Sequence, residues 1–214
     1  MINLVILGAG GHAKEVYTTI QHINRVNSKK YNLLGFFDDI TDNLSLLNLK
    51  VFKKISEIKD KNIRVVLGVG TPEAKSILIN KFKNEGFLFE KIIHPTTFIS
   101  PFAKIAEGAV IQSYCLIHPD AKIGDFFSCN NNVQIHHDTI IGDNVHINPN
   151  VNISGGAIIG SNTFIGVNAT IFRVKIGKNC IIGACSLINK DVPDSIKAIG
   201  IPARYFPSDG KISF

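Results

Sequence analysis

The sequence predicts an α/β plus all-β chain: a small parallel sheet flanked by helices, followed by a parallel β-helix. Two observations carry this expectation. From Ile99 to Ile171 an isoleucine stands at every sixth position, with Cys129 the one substitution, and the fourth residue after each is mostly small or β-branched, from Ala103 and Ala109 to Thr163 and Ala169, bulky Phe127 excepted. Neither the helical period nor the alternating strand period produces a strict six, whereas flat rungs with two inward positions do, and such rungs bury their apolar edges only by stacking. Before this series the pattern is different. Apolar runs alternate with amphipathic stretches, as parallel strands alternate with covering helices.

Taken in order, Ile2 to Leu7 reads as a buried strand ending in Gly8, Ala9, Gly10, Gly11 and His12. A helix follows with Val16, Ile20 and Ile23 on one face. Residues 33–37 read as a second strand closed by Asp38 and Asp39, and residues 65–69 as a third. Gly70 leads into Thr71, Pro72 and Glu73, which supply an N-cap, a proline at the first helical position and an acid near the positive helix end. This helix is expected to reach about Asn84, with Gly86 stopping it. The spacing of Gly8, Gly10 and Ala13 fits the dinucleotide fingerprint, so the domain is Rossmann-like. It is half the size of a full dinucleotide-binding domain, and a mononucleotide diphosphate suits it better than NAD. The expected boundaries are 1–92 for this nucleotide-binding domain, 93–196 for the β-helix and 197–214 for a C-terminal tail. Within the β-helix the phase slips by one residue between Ile171 and Ile176, then resumes at Ile182 and Ile188.

A hydrophobic content of 45% over 214 residues is ample for a core and argues against disorder. The formal charge of +6 favours an anionic partner. The lysines are spread along the chain, and neither aromatic platforms nor a basic helix accompanies them, so phosphorylated small molecules rank ahead of nucleic acid. Cys115, Cys129, Cys180 and Cys185 have no CxxC spacing and read as small buried filler. No signal peptide or membrane-crossing run is read after Met1, so a reduced cytoplasmic protein without membrane insertion is expected.

In an open α/β sheet, ligands bind beyond the carboxyl ends of the strands. Gly10, Gly11 and His12 open the first helix, where bare N–H groups and the helix dipole suit a phosphate. Asp38 and Asp39 could accept from ribose hydroxyls or from the donor edge of a base, and Gly70 and Glu73 complete the mouth. Tight turns and helix caps without a ligand are the plainer alternative.

The six-residue series resembles the hexapeptide-repeat acyltransferases, in which three hexapeptides make one triangular coil of a left-handed β-helix. An 18-residue coil puts His137 in a column with Pro119 and Gly155, and Asp138 in a column with Asp120 and Gly156. A histidine beside a carboxylate, facing a glycine pair with accessible N–H groups, has the parts for proton abstraction and oxyanion stabilisation. A solvated turn histidine is the alternative for any isolated ring. His118, His136, His137 and His146 invite a zinc site of the kind found in one family of β-helix carbonic anhydrases. That family's histidine pair five residues apart is absent, since Gly142 follows His137 at that distance, so no metal is expected.

Over nearly its whole length the chain resembles the NeuD/PglD-like sugar acetyltransferases. The resemblance rests on Gly8 to Lys14, on Phe37-Asp38-Asp39, on Ile93-His94-Pro95, on the hexapeptides with His137-Asp138, and on the closing Gly200-Ile201-Pro202-Ala203. It implies a homotrimer with active sites at subunit interfaces that transfers acetyl from acetyl-CoA to the amine of a UDP-, dTDP- or GDP-linked 4-amino-4,6-dideoxyhexose for surface glycans, including lipopolysaccharide. By the same resemblance His137 is the general base, and Asp138 its partner, where the common pattern has Glu. Gly10, Gly11, His12, Asp38, Asp39, Gly70 and Glu73 hold the nucleotide. Gly155 supplies an oxyanion N–H, and His146, Val167 and Ala184 contact acetyl-CoA. His94 belongs to the domain junction. Sugar O-acetylation of the sialic acid type and a non-catalytic sugar-nucleotide scaffold remain alternatives.

Overall fold

The computed structural model describes residues 1–27, 29–60, 62–208 and 210, and the chain divides into two compact units, Met1–Pro95 and Thr96–Phe214. Residues 209 and 211–214 of the expected tail lie outside the described residues.

In the first unit, β1 (Ile2–Leu7), β2 (Tyr31–Phe37), β3 (Ser45–Leu46), β4 (Leu49–Phe52) and β5 (Arg64–Leu67) form one sheet in the order β3-β4-β2-β1-β5. All neighbours run parallel except β3 against β4. The hairpin of β3 and β4 is absent from the sequence expectation. Its strands are two and four residues long, and only Val51 of β4 is buried, so no apolar run announces it. The first helix, α1 (Gly11–Val26), buries Ala13, Val16, Thr19, Ile20 and Ile23, the stripe expected of a helix with one face on a sheet. The second, α2 (Pro72–Asn84), starts as its residues dictate: Thr71 Oγ1 accepts from the Ala74 N–H at 3.3 Å. Phe82 of α2 meets Phe37 edge to face, with ring centroids 4.8 Å apart. Because β1 sits between β2 and β5, the winding reverses at β1, and the carboxyl ends of these three strands open a crevice.

In the second unit, two-residue strands from Phe98–Ile99 to Leu187–Ile188 stack into three parallel sheets. The inward column Ile117, Ile135, Ile153 and Ile171 is in direct register, 18 residues per coil. All four are fully buried, as are the small residues Ala109, Ala121, Ala157 and Ala169. Each such isoleucine contributes about 1.5–3 kcal/mol of burial. Phe127, which breaks the small-residue pattern, is also fully buried. After Ile171 the register changes to 17, with Ile159 opposite Ile176 and Ile165 opposite Ile182.

The coil turns its corners through a left-handed residue three places after the inward isoleucine: φ is +60° at Asn132, +59° at Asp138, +57° at Asn144 and +61° at Asn150. Asn and Asp tolerate this conformation better than other L-residues, so the recurrent asparagines are as much a part of the code as the isoleucines. Ile196–Gly200 and Ala203–Pro207 form an antiparallel hairpin that extends the sheet containing Ile181–Ile182. Cys115, Cys129 and Cys180 are buried free thiols; Cys185, at a corner, is exposed rather than filling the core. Among the described residues no helix is long and apolar enough to cross a membrane.

Candidate active site

The crevice of the first unit brings together most of the residues expected to bind a nucleotide. Gly8 leaves β1 with φ +108°, and a Cβ there would fall 2.6 Å from Val69 Cγ1, so only glycine lets the turn pass this close to the β5 loop. Gly10 is the N-cap of α1 and Gly11 its first residue, and a Cβ on either would meet open space, which leaves bare backbone at the positive end of the helix. His12 Nδ1 lies 3.1 Å from Glu15 Oε2.

Asp38 is held from within the domain. Its Oδ2 accepts the Ala9 N–H at 2.9 Å, and its Oδ1 accepts the N–H groups of Ile40 and Thr41 at 3.0 and 2.9 Å. The carboxylate therefore ties the glycine turn to the loop after β2. Asp39 pairs with Lys81 of α2, and the hydrogen bond to that ammonium is the main reason its carboxyl titrates below the usual range. Asp38, Asp39, Gly8 and Phe37 line a cleft of ≈ 120 Å³, with Ile40 and Ile77 at its exposed edge. Gly70 follows β5 and is half-buried, while Glu73 in the first turn of α2 is exposed.

In the second unit the hexapeptide ruler places His137 over Gly155. A Cβ on Gly155 would fall 2.5 Å from His137 Nε2 and 2.6 Å from Cε1, so a bare glycine is what allows the imidazole to lie there. Nδ1 of His137 is 2.8 Å from Asp138 Oδ2, and both side chains are 66% exposed. An ionised carboxylate only accepts, so this bond fixes the neutral ring as the Nδ1–H tautomer and leaves the Nε2 lone pair open. Gly156 anchors the rung, donating its N–H to the His137 carbonyl at 2.8 Å. The Gly155 N–H donates to no group among the described residues.

His118 and His136 stack one coil apart with ring centroids 4.8 Å apart and planes 6° from parallel. Burial first, then the neighbouring imidazoles of His118 and His137, lowers the His136 pKa from its ordinary value. Among the described residues no three of the metal-ligating types converge on one point. His146 is buried to 3% exposure, its Nδ1 2.8 Å from Ser128 Oγ and its ring stacked on Phe164. Val167 and Ala184 lie one above the other despite the slip, because the Cys185 N–H donates to the Val167 carbonyl at 2.8 Å.

His137 and the Val167–Ala184 pair are not brought together within one chain. His137 sits at the corner after Gln134–Ile135, whereas Val167 and Ala184 sit at the corner after Phe164–Ile165 and Ile181–Ile182, in another sheet of the triangle. Sequence reasoning also passed over Arg173, whose side chain covers Gly156. Its signal was the five-residue step from Ile171 to Ile176.

Residues 3–82 match the model of the PglD N-terminal domain, and residues 138–173 match the bacterial transferase hexapeptide model of six repeats. No curated protein matches the sequence. Among solved structures, a histidine-to-alanine variant of GDP-perosamine N-acetyl transferase from Caulobacter crescentus, in complex with CoA and GDP-perosamine, is similar over 95% of this chain and 96% of its own, with 28% identity and a TM-score of 0.84. The acetyltransferase domain of PglB from Neisseria gonorrhoeae shares the fold at 24% identity, covering 96% of this chain and 100% of its own, with a TM-score of 0.86. WeeI from Acinetobacter baumannii shares it at 22% identity, over the same fractions, with a TM-score of 0.74. The chain thus carries a PglD N-terminal domain and bacterial transferase hexapeptide repeats, and in its two-part fold it is similar to hexapeptide-repeat sugar acetyltransferases.

Proposed function

We propose that the protein transfers acetyl from acetyl-CoA to the amine of a nucleotide-linked amino sugar of the UDP-, dTDP- or GDP-4-amino-4,6-dideoxyhexose type. The observation that carries this reading is the His137 ring, bonded through Nδ1 to Asp138 at 2.8 Å with Nε2 directed over Gly155. The amine attacks the thioester carbonyl as Nε2 takes its proton, CoA leaves as the thiol, and the Gly155 N–H receives the developing oxyanion. No covalent acetyl-enzyme is required. Gly10, Gly11, His12, Asp38, Asp39, Gly70 and Glu73 serve the nucleotide, with Asp38 acting through the turn it holds. The separation of His137 from Val167 and Ala184 on two corners supports a homotrimer in which one copy supplies the base and its neighbour the acetyl-CoA wall, while His146, buried to 3% exposure, supports that sheet rather than touching acetyl-CoA itself. The Caulobacter crescentus relative, in complex with CoA and GDP-perosamine, supports the choice of both substrates.

A thiol-release assay with acetyl-CoA across UDP-, dTDP- and GDP-linked amino sugars, alongside free and CMP-linked sialic acid, tests the reading. Turnover is expected with one nucleotide-linked amino sugar. His137→Ala is expected to lower kcat by about 10²–10⁴-fold while sugar-nucleotide binding survives. Turnover of the sialic acids alone would replace the reading with O-acetylation, and silence throughout would favour the scaffold.

A further inference from the structure

The step from Ile171 to Ile176 shortens one corner of the β-helix by a residue, and it does so in the rung above Gly155 and Gly156. Ile153 pairs with Ile171 and Ile158 with Lys175, so Phe172, Arg173 and Val174 span the place that Ser154 to Ala157 occupy one coil earlier. The Val174 N–H donates to the Phe172 carbonyl at 2.8 Å, a three-residue turn with Arg173 at its tip. From there the side chain folds down onto the glycine pair: a Cβ on Gly156 would lie 2.8 Å from Arg173 Nε and 3.2 Å from Cζ. The adjacent residue, Gly155, carries the His137 ring. Consecutive Cα atoms are about 3.8 Å apart, so the guanidinium and the imidazole share one bare patch of backbone. Arg173 is exposed and has no hydrogen bond or ion pair among the described residues.

We propose that Arg173 is a substrate-binding residue whose guanidinium receives the diphosphate of the sugar nucleotide beside His137, an inference that rests on the transfer reading above. A planar guanidinium offers paired N–H donors matched to phosphate oxygens, and its charge offsets the repulsion between a diphosphate and Asp138. Reach distinguishes the two anionic substrates. With the reacting amine at His137 Nε2, the diphosphate of a sugar nucleotide lies across one pyranose ring, whereas the first phosphate of acetyl-CoA is a whole pantetheine arm from the thioester. The slip in the repeat is thus the means by which a cation reaches the corner that Gly155 and Gly156 leave bare beside His137.

The test compares wild type, Arg173→Ala and Arg173→Lys with the nucleotide-linked amino sugar that turns over. Arg173→Ala is expected to raise KM for that substrate about 10–100-fold, the loss of a charge-assisted hydrogen bond, with kcat within about threefold and KM for acetyl-CoA unchanged. Arg173→Lys should recover part of the affinity, because it keeps the charge and loses the fork. The melting temperature of the exposed-site variants should match wild type. Unchanged KM for both substrates, or a rise confined to acetyl-CoA, overturns the proposal. Binding of UDP, dTDP and GDP is measured in parallel by calorimetry. A wild type that binds a diphosphate yet acetylates nothing defeats the transfer reading alone, and equal affinity of wild type and Arg173→Ala for that diphosphate then defeats the role of Arg173 as well.

Discussion

Asp138 holds a left-handed corner at φ +59° and also accepts from His137 Nδ1 at 2.8 Å. The two duties separate under substitution, because Asn132, Asn144 and Asn150 hold equivalent corners with the same sign of φ. Asp138→Asn should therefore fold as wild type does, while an amide that can present N–H as readily as C=O no longer enforces the tautomer with an open Nε2. Its kcat is expected to fall at least about tenfold with an unchanged melting temperature. Asp138→Ala should lose the same activity and also about 1–2 kcal/mol of stability, since alanine pays the full steric cost of the left-handed region. Thermal unfolding and steady-state kinetics on the two variants check this. Equal kcat for Asp138→Asn and wild type would leave Asp138 as a corner residue only.

Among the elements, the loop after β2 takes its path from Asp38, whose proposed part in nucleotide binding is indirect. The Asp38 carboxylate takes three backbone N–H groups, one of them from the glycine turn ahead of α1, so its removal releases two loops at once. Asp38→Ala is expected to cost about 1–3 kcal/mol in urea unfolding and to raise KM for the sugar nucleotide through disorder of the glycine turn. Asp39→Ala breaks an exposed pair with Lys81 and should cost no more than about 1 kcal/mol. A KM that responds to Asp39 but not to Asp38 would transfer the nucleotide contact to Asp39. The sequence marked both acids but not this division of labour, because the partners of Asp38 are backbone groups that no side-chain pattern announces. The strands and helices around them were legible for the opposite reason: Ile2 to Leu7, the α1 stripe and the Thr71-Pro72 cap are local signals that tertiary packing did not override. The column of His137 over Gly155 was legible through the 18-residue ruler, whereas the choice of Nε2 depends on a rotamer, and the pose of Arg173 on how a five-residue step closes its turn.

For the whole molecule, the decisive geometry is that the proposed base and the proposed acetyl-CoA wall occupy different corners of the triangular β-helix, on different coils. A cyclic trimer resolves this if each site takes His137 from one copy and Val167 and Ala184 from the next, a heterologous contact that closes after three. Complementation follows from the arithmetic of such a ring. One chain carries His137→Ala with an intact wall, and the other carries Ala184→Trp, whose bulk at an exposed corner fills the wall while His137 is kept. Either chain alone is expected to be inactive. When the two are mixed at equal amounts and reassembled, roughly three-quarters of the trimers contain both chains, and every mixed ring has a single boundary at which an intact His137 faces an intact wall. Each mixed ring thus regains one site in three, and the mixture should recover about a quarter of wild-type kcat per chain. Size-exclusion chromatography with light scattering establishes the trimer, and the thiol-release assay reads the recovery. A mixture as inactive as its parents, in trimers shown to contain both chains, would place base and wall in the same copy and require acetyl-CoA to bind elsewhere on the β-helix.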